Sequence, residues 1–472
     1  MAGPLFLRWS RVASQWLPFA DAASEDLPLK RLLRLALFQV SVGMATVLLT
    51  GTLNRVMIVE LSTPAWLVAL MVAIPLVVAP FRALIGHKSD THRSLLGWRR
   101  VPYIWFGSLM QFGGLAIMPF ALLLMSRPES FAAGVAFGGI AFLLTGAGLH
   151  TTQTAGLALA TDLAPPDRRP RVVALLYVML LVGMMFSAFV IGGLLADFSP
   201  TRLVQIIQGA AVLTMVLNIV ALWKQEARDK AMTAPERETP AFAEVWRAFI
   251  AEGRSARLLV AVGLGAAAFS MQDVLLEPYG GEILGLSVGA TTALTGAWAA
   301  GTLAGFALAA RRLGDGSEPH RVAGFGVVAG IAAFLMVLFA GPLASPGLLF
   351  AGAATIGLGL GLFAVGTLVA AMALARDGQA GIALGAWGAV QASAAGVAIL
   401  VGGVARDIVS AAALSDALGA TLAHRATGYG SVYLFEILLL LSTLVVLGPL
   451  VGARGGQAAA PPGRFGLSEF PT

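Results

Sequence analysis

Twelve apolar stretches of about twenty residues or more, parted by short polar turns, decide what this chain of 472 residues can fold into. They fall at 34–57, 64–85, 101–125, 131–160, 172–196, 202–223, 256–278, 286–310, 322–341, 347–374, 381–405 and 430–452. Hydrocarbon offers no partner to a backbone N–H or C=O, so each stretch must be a helix that pairs its own backbone. Charged residues make up 12% of the chain, about half the ~25% of a soluble domain. The expected fold class is therefore an all-α membrane protein of twelve transmembrane helices. Small-residue runs such as Gly357-Leu358-Gly359-Leu360-Gly361 and 381–388 would let neighbouring backbones approach closely.

Several chemistries are excluded early. There is no cysteine, hence no disulfide, thiol nucleophile or thiolate-held metal. The five histidines, His87, His92, His150, His320 and His424, show no metal-ligand helical spacing. No phosphate loop or nucleophile constellation is visible, so neither an enzyme nor a protein-bound metal is expected.

The most polar short segment between two apolar stretches is 86–100, GHKSDTHRSLLGWRR. A turn this charged must lie at a membrane face. Placing both termini on one side gathers Arg8, Arg11, Lys30, Arg31, Lys88, Arg93, Arg99, Arg100, Arg168, Arg311 and Arg312 there. The other side keeps only Arg55, Arg127, Arg202, Arg406 and Arg425. Basic residues favour cytoplasmic loops, which predicts cytoplasmic N- and C-termini. Segment 225–255, with Pro235, Pro240 and charges of both signs, is expected to be a cytoplasmic linker. It would separate an N-terminal six-helix bundle, 33–224, from a C-terminal one, 256–452, as parallel-repeat transporters require. Residues 1–32 form a cytoplasmic segment in which Leu5, Trp9, Val12 and Trp16 suit an interfacial helix. Residues 453–472, rich in Gly, Ala and Pro, read as a disordered cytoplasmic tail.

The Gly86-x-x-x-Asp90 start and the Gly97-Trp98-Arg99-Arg100 end of the basic loop resemble the signature loop between the second and third helices of the major facilitator superfamily. Extra residues stand between the Asp and the closing Gly-x-Arg-Arg. The wider text is similar to the PucC/LhaA family of purple phototrophic bacteria. The similar passages include Gly51-Thr52-Leu53-Asn54-Arg55, Ser89-Asp90-Thr91-His92-Arg93, Gly148-Leu149-His150-Thr151-Thr152-Gln153 and Met271-Gln272-Asp273-Val274-Leu275-Leu276-Glu277-Pro278-Tyr279. The resemblance runs from about Leu17 to the last helix. It implies a major facilitator fold of two six-helix halves. It also implies a factor that binds bacteriochlorophyll a transiently and delivers it to nascent light-harvesting antenna polypeptides. The implied address is the bacterial inner, intracytoplasmic photosynthetic membrane. The implied partners are those polypeptides, the reaction-centre complex, bacteriochlorophyll synthase and membrane lipids, with no nucleic acid.

Candidate site residues fall into three groups. Gly86, Asp90, Arg93, Gly97, Arg99 and Arg100 form a conformational-switch loop if Asp90 relays charge among the arginines. Anchoring at the membrane face is the plainer role. His150, Gln153, Gln272 and Gln39 are the pigment-binding candidates, because a neutral imidazole is a good axial ligand for a chlorin's magnesium. The plainer role for His150 is hydrogen bonding between helices, aided by Thr151 and Thr154. Asp273, Glu277, Asn54 and Arg55 are the intramembrane or gating candidates. Asp273 and Glu277 lie four residues apart in the predicted seventh helix, and Glu277 is expected at its solvated end. Glu60, Glu277 and Glu282 are the candidate partners of Arg55.

The resulting expectation is an antenna assembly factor. Its alternatives are a proton-coupled secondary transporter of a small solute and a non-transporting scaffold for antenna oligomers. The uncharged stretch 347–374 suits a path for a large apolar pigment.

Overall fold

A computed structural model describes residues 27–77, 85, 89, 98–165, 169–227, 253–374, 380–415 and 417–451. The apolar stretches are helices, and no strand occurs among the described residues. In chain order they are α1 (Leu29–Glu60), α2 (Ala65–Val77), α3 (Val101–Met125), α4 (Phe131–Leu163), α5 (Arg169–Leu194) and α6 (Pro200–Leu222). There follow α7 (Gly253–Ser270), α8 (Val288–Gly314), α9 (Pro319–Ala340), α10 (Pro346–Leu374), α11 (Ala380–Leu414) and α12 (Ala426–Leu447). Eleven of the helical segments are long and apolar enough to cross a membrane, and α2 adds a shorter apolar one. Of the expected switch loop, Gly86, Asp90, Arg93 and Gly97 lie outside the described residues, as do 1–26, 228–252 and 452–472.

Helix starts follow from local chemistry. Pro102, Pro200 and Pro319 sit in first turns, where a missing N–H leaves nothing unpaired. Ser199 and Ser287 cap α6 and α8 by accepting from Arg202 N and Ala290 N, each at 3.2 Å.

Two spans depart from expectation. The seventh was expected to run unbroken over 256–278. Instead α7 ends at Ser270, a tight 3₁₀ turn occupies Met271–Val274, and a second helical segment, Leu276–Leu284, ends at Gly285 with φ +65°. Pro278 is the cause: its ring would collide with the carbonyl of Val274 in a continuous α-helix. Asp273 and Glu277 therefore do not share one regular helix face. The eleventh span runs on to Leu414 instead of stopping at 405, carrying Arg406 and Asp407 inside the helix. Helix α1 is also irregular, widening to i→i+5 bonding at Leu48–Thr52 and again at Val56–Glu60.

Glycines set the closest packing. On α10, Gly357 and Gly361 press on the α8 backbone at Trp298 and Thr302, while Gly359 presses on α9 at Gly326. On α3, Gly107 and Gly114 lie against α4 at Gly148 and Ala141. The first six spans meet the last six along α2 with α11 and α5 with α8; Gly192 and Gly289 bring the latter pair into backbone contact. This is the major facilitator arrangement.

Candidate functional site

Two buried polar clusters and one charged rim can be assembled from the candidate residues. The first cluster is built on two amides. Gln153 Nε2 of α4 donates to Gln39 Oε1 of α1 at 3.4 Å, and both are buried. His150, also buried, lies one turn from Gln153 on α4. The Thr151 and Thr154 hydroxyls bond back to the carbonyls of Ala147 and His150 in their own helix. The structure thus brings three pigment candidates together, with no charged side chain in the hydrogen-bonded pair. Gln272 is not among them. It sits in the 3₁₀ turn after α7, donating to Asp273 Oδ1 at 2.5 Å and to Phe269 O at 3.3 Å.

The second cluster is where the two halves bond to each other. Asn54 Nδ2 of α1 donates to the carbonyl of Asp273 at 3.1 Å and also to Thr50 O. The Thr52 and Thr292 hydroxyls lie 3.1 Å apart across α1 and α8. Arg55 pairs with Glu60 and donates to Leu286 O at 3.2 Å, its guanidinium lying over Gly281. Of the three expected partners, Glu60 is the one that Arg55 meets in an ion pair. Glu282 pairs instead with Arg406 at 2.6 Å. Arg406 also holds Asp407 at 2.8 Å and stands 4.6 Å above the Tyr429 ring. Asp407 Oδ2 accepts from Trp66 N at 2.8 Å, tying α11 to the first turn of α2. All these bonds lie toward the end of the helices opposite Arg99 and Arg100. They form a latch.

Glu277 corrects the sequence reading. It is not solvated: it is 3% exposed, and Oε1 accepts from Thr295 of α8 at 2.5 Å. The close approach of α1 at Gly51 puts backbone over it, which excludes water.

The charged rim holds Arg99 and Arg100, which both bond to Asp162 at the end of α4, at 2.9 and 3.0 Å. Arg100 also donates to Ser89 at 2.5 Å. Glu226, just past α6, accepts from the backbone N–H groups of Arg99, Arg100 and Val101 at 2.8–3.1 Å. A carboxylate at the start of α3 satisfies orphan N–H groups and complements the helix dipole. This rim ties α3, α4 and the end of α6 together.

Sequence reasoning missed Asp162 and Glu226 as partners, and it missed Glu436 altogether. Glu436 on α12 is 0% exposed, and neither side-chain oxygen has an ordinary hydrogen-bond partner. Its signal was present as the lone charge in Tyr433-Leu434-Phe435-Glu436-Ile437. A buried polar group without a partner costs about 1–3 kcal/mol. Glu436→Leu is accordingly expected to raise the thermal unfolding midpoint of the purified protein. A lower midpoint would show that the carboxyl is compensated in place.

Comparison with known proteins gives this arrangement a context. The sequence model of the family described as "PUCC protein" matches residues 52–455. Protein PucC of Rhodovulum sulfidophilum is 56% identical over 410 residues, 85% of this chain and 90% of that protein. The bacteriochlorophyll synthase 44.5 kDa chain of Rhodobacter capsulatus is 31% identical over 433 residues, 90% of this chain and 96% of that protein. Among solved structures, a bacterial homologue of the human lysosomal transporter Spinster, inward-facing and unoccupied, superposes with a TM-score of 0.64. It is 15% identical and covers 89% of this chain and 95% of its own. Fold and sequence agree, and this multi-pass membrane protein belongs to the PUCC protein family.

Proposed function

We propose that this chain is a light-harvesting assembly factor that takes up bacteriochlorophyll a and delivers it to nascent antenna polypeptides. The observation that carries the reading is the similarity, across nine-tenths of the chain, to a protein named as a chain of bacteriochlorophyll synthase. The site chemistry supports it. His150, Gln153 and Gln39 offer neutral nitrogen and oxygen donors in a buried setting, the donor types that a chlorin magnesium accepts. Helix α10 carries no charged residue, so its surface does not oppose a large apolar ring. The chain would sit in the inner, intracytoplasmic photosynthetic membrane with the arginine-rich face and both termini in the cytoplasm. The latch around Arg55 then closes the periplasmic side. Antenna polypeptides, the reaction-centre complex and bacteriochlorophyll synthase are the proposed partners.

The test is purification from phototrophic membranes in mild detergent, followed by absorption spectroscopy and identification of co-purifying subunits. Bound pigment is expected in the wild type and lost in His150→Leu. Pigment-free protein that still collects antenna polypeptides would make the chain a scaffold. A second reading, proton-coupled transport of a small solute, draws on the half-buried carboxyl of Asp273 and the buried carboxyls of Glu277 and Glu436. Solute-dependent proton flux in liposomes that disappears in Asp273→Asn would establish it in place of the first.

A further inference from the structure

A cavity of about 840 Å³ lies between the start of α3 and the end of α6, beside the first turn of α1. Pro102, Trp105 and Phe106 wall it on the α3 side, and Ile219, Leu222 and Trp223 on the α6 side. Phe106 and Trp223 are 64% and 61% exposed, on helices that span the membrane. Concavities of about 300 to 1,000 Å³ with apolar, aromatic walls are typical binding sites. We propose that this cavity docks the chain's own first segment, residues 1–26, through the stripe Leu5, Trp9, Val12 and Trp16. The proposal does not depend on the pigment reading above.

Three observations select this occupant. The first is where the segment joins the fold. Leu27 is 1% exposed and packs in one apolar cluster with Ile104 of α3 and Ala221 of α6. Ile104 and Ala221 are the sequence neighbours of the wall residues Trp105 and Leu222. The chain therefore enters α1 already seated against the two helices that form the cavity.

The second is chemistry. Leu5, Trp9, Val12 and Trp16 recur at steps of four, three and four, which puts them on one side of any helix they form. Arg8 and Arg11 fall off that side and can stay among lipid headgroups. Two tryptophans match walls that carry Trp105, Phe106 and Trp223, because offset or edge-on ring pairs add to area burial. A lipid acyl chain offers no such pairing.

The third is reach. A helix over residues 5–16 would be about 18 Å long. The connecting residues 17–26 span at most about 33 Å. Tethering at this range holds the stripe at a local concentration of order millimolar, which a free partner seldom matches.

The cavity has a fixed floor to receive it. Arg31 donates to Gln225 Oε1 at 3.1 Å and to Gln225 O at 2.7 Å, and Gln225 Nε2 donates to Arg31 O at 3.2 Å. Glu226 accepts from the backbone N–H groups of Arg99, Arg100 and Val101 at 2.8–3.1 Å and stays a carboxylate. Arg31, Lys224 and Glu226 put both signs of charge in the lining. Ring burial, not charge, thus carries the docking.

A chain without cysteine permits a direct test, because chosen pairs can be introduced one at a time. Ala13→Cys flanks the stripe. Ile219→Cys stands at the cavity, 41% exposed, and Phe325→Cys on α9, in the other half, is 67% exposed. The full chain is placed in vesicles of phosphatidylcholine and phosphatidylglycerol and treated with a short bismaleimide. Ala13→Cys should join Ile219→Cys at least about tenfold faster than it joins Phe325→Cys. Trp223→Leu trims an exposed wall residue, so it should leave the unfolding midpoint in place. It should nevertheless slow the joining at least about tenfold, as loss of a tryptophan anchor does. Trp9→Ala combined with Trp16→Ala should slow it likewise. Equal rates for the two pairs, or a rate indifferent to Trp223→Leu, would mean that the segment lies on the bilayer surface, and the proposal falls. Joining between two chains instead of within one would assign the cavity to a second copy, and the proposal falls as well.

Discussion

Arg55→Ala should unlatch the face at which the two halves are joined. The guanidinium makes a charge-assisted bond to the Leu286 carbonyl, of a kind worth about 1.5–3 kcal/mol. It also pairs with Glu60. Because the Glu60 side chain is 38% exposed, solvent screening limits that pair to about 1 kcal/mol or less. The buried Glu277 would lose a nearby cation as well. The bond to Leu286 is the one that crosses the join, and its about 1.5–3 kcal/mol exceeds the ~1.4 kcal/mol that shifts a two-state equilibrium tenfold. The chain has no cysteine, so a single Thr292→Cys at the Thr52 contact reports opening without further engineering. Its labelling by a membrane-impermeant maleimide is expected to quicken at least about tenfold when Arg55→Ala is added. Equal rates in the two backgrounds would mean that Arg55 stabilises its own loop and not the join between halves.

Gly357→Leu should be more damaging still, through packing alone. A Cβ at Gly357 would stand 2.0 Å from Trp298 O and 2.9 Å from Thr302 N. Both are backbone atoms of α8, so no rotamer change relieves the clash. Helices α8 and α10 would have to separate, and the reciprocal contact of Gly301 with Ala354 O would be lost with them. Overpacking of a core that can adjust costs about 1–3 kcal/mol, and a backbone clash lies beyond that range. Total stability of a folded domain is only about 5–15 kcal/mol. The yield of monodisperse protein should fall at least about tenfold. Gly324→Leu, on α9 with open space around it, should stay within about twofold of the wild type. Similar yields for the two variants would disprove close α8–α10 packing.

Hydropathy and charge made the helices and their order legible, because hydrocarbon leaves a spanning backbone no alternative. The glycine run 357–361 also announced close packing, but not that alternate glycines would serve two different neighbours. The break in the seventh span was readable in principle, since Pro278 stood in the sequence with its helix-breaking chemistry. In the sequence Pro278 marks the end of the span, whereas the structure breaks the helix earlier, at Met271–Val274, and continues past Pro278 to Leu284. Partnerships were harder. Arg55 could be listed with three carboxylates, yet only the fold brings Glu60 to it and sends Glu282 to Arg406. Glu277 looked solvated because Pro278, Gly280 and Gly281 follow it; its burial comes from α8 and α1, which are remote in sequence. Glu226 looked like an ordinary linker charge, and its role exists only because α6 ends beside the start of α3.

The two widened turns of α1 have a consequence for how this helix is phased. Each adds a residue without completing an extra turn, which rotates what lies beyond by about 100° relative to a regular helix. Before the first widening, Gln39 and Ser41 are directed at Gln153 of α4 and Asn218 of α6. From its last residue onward, Thr52, Asn54 and Arg55 are directed at α8 and at the residues on either side of the Leu276–Leu284 segment. The amide pair and the latch thus keep separate registers on a single axis. A one-residue insertion or deletion at Leu49 would re-aim the latch and leave the amide pair where it is.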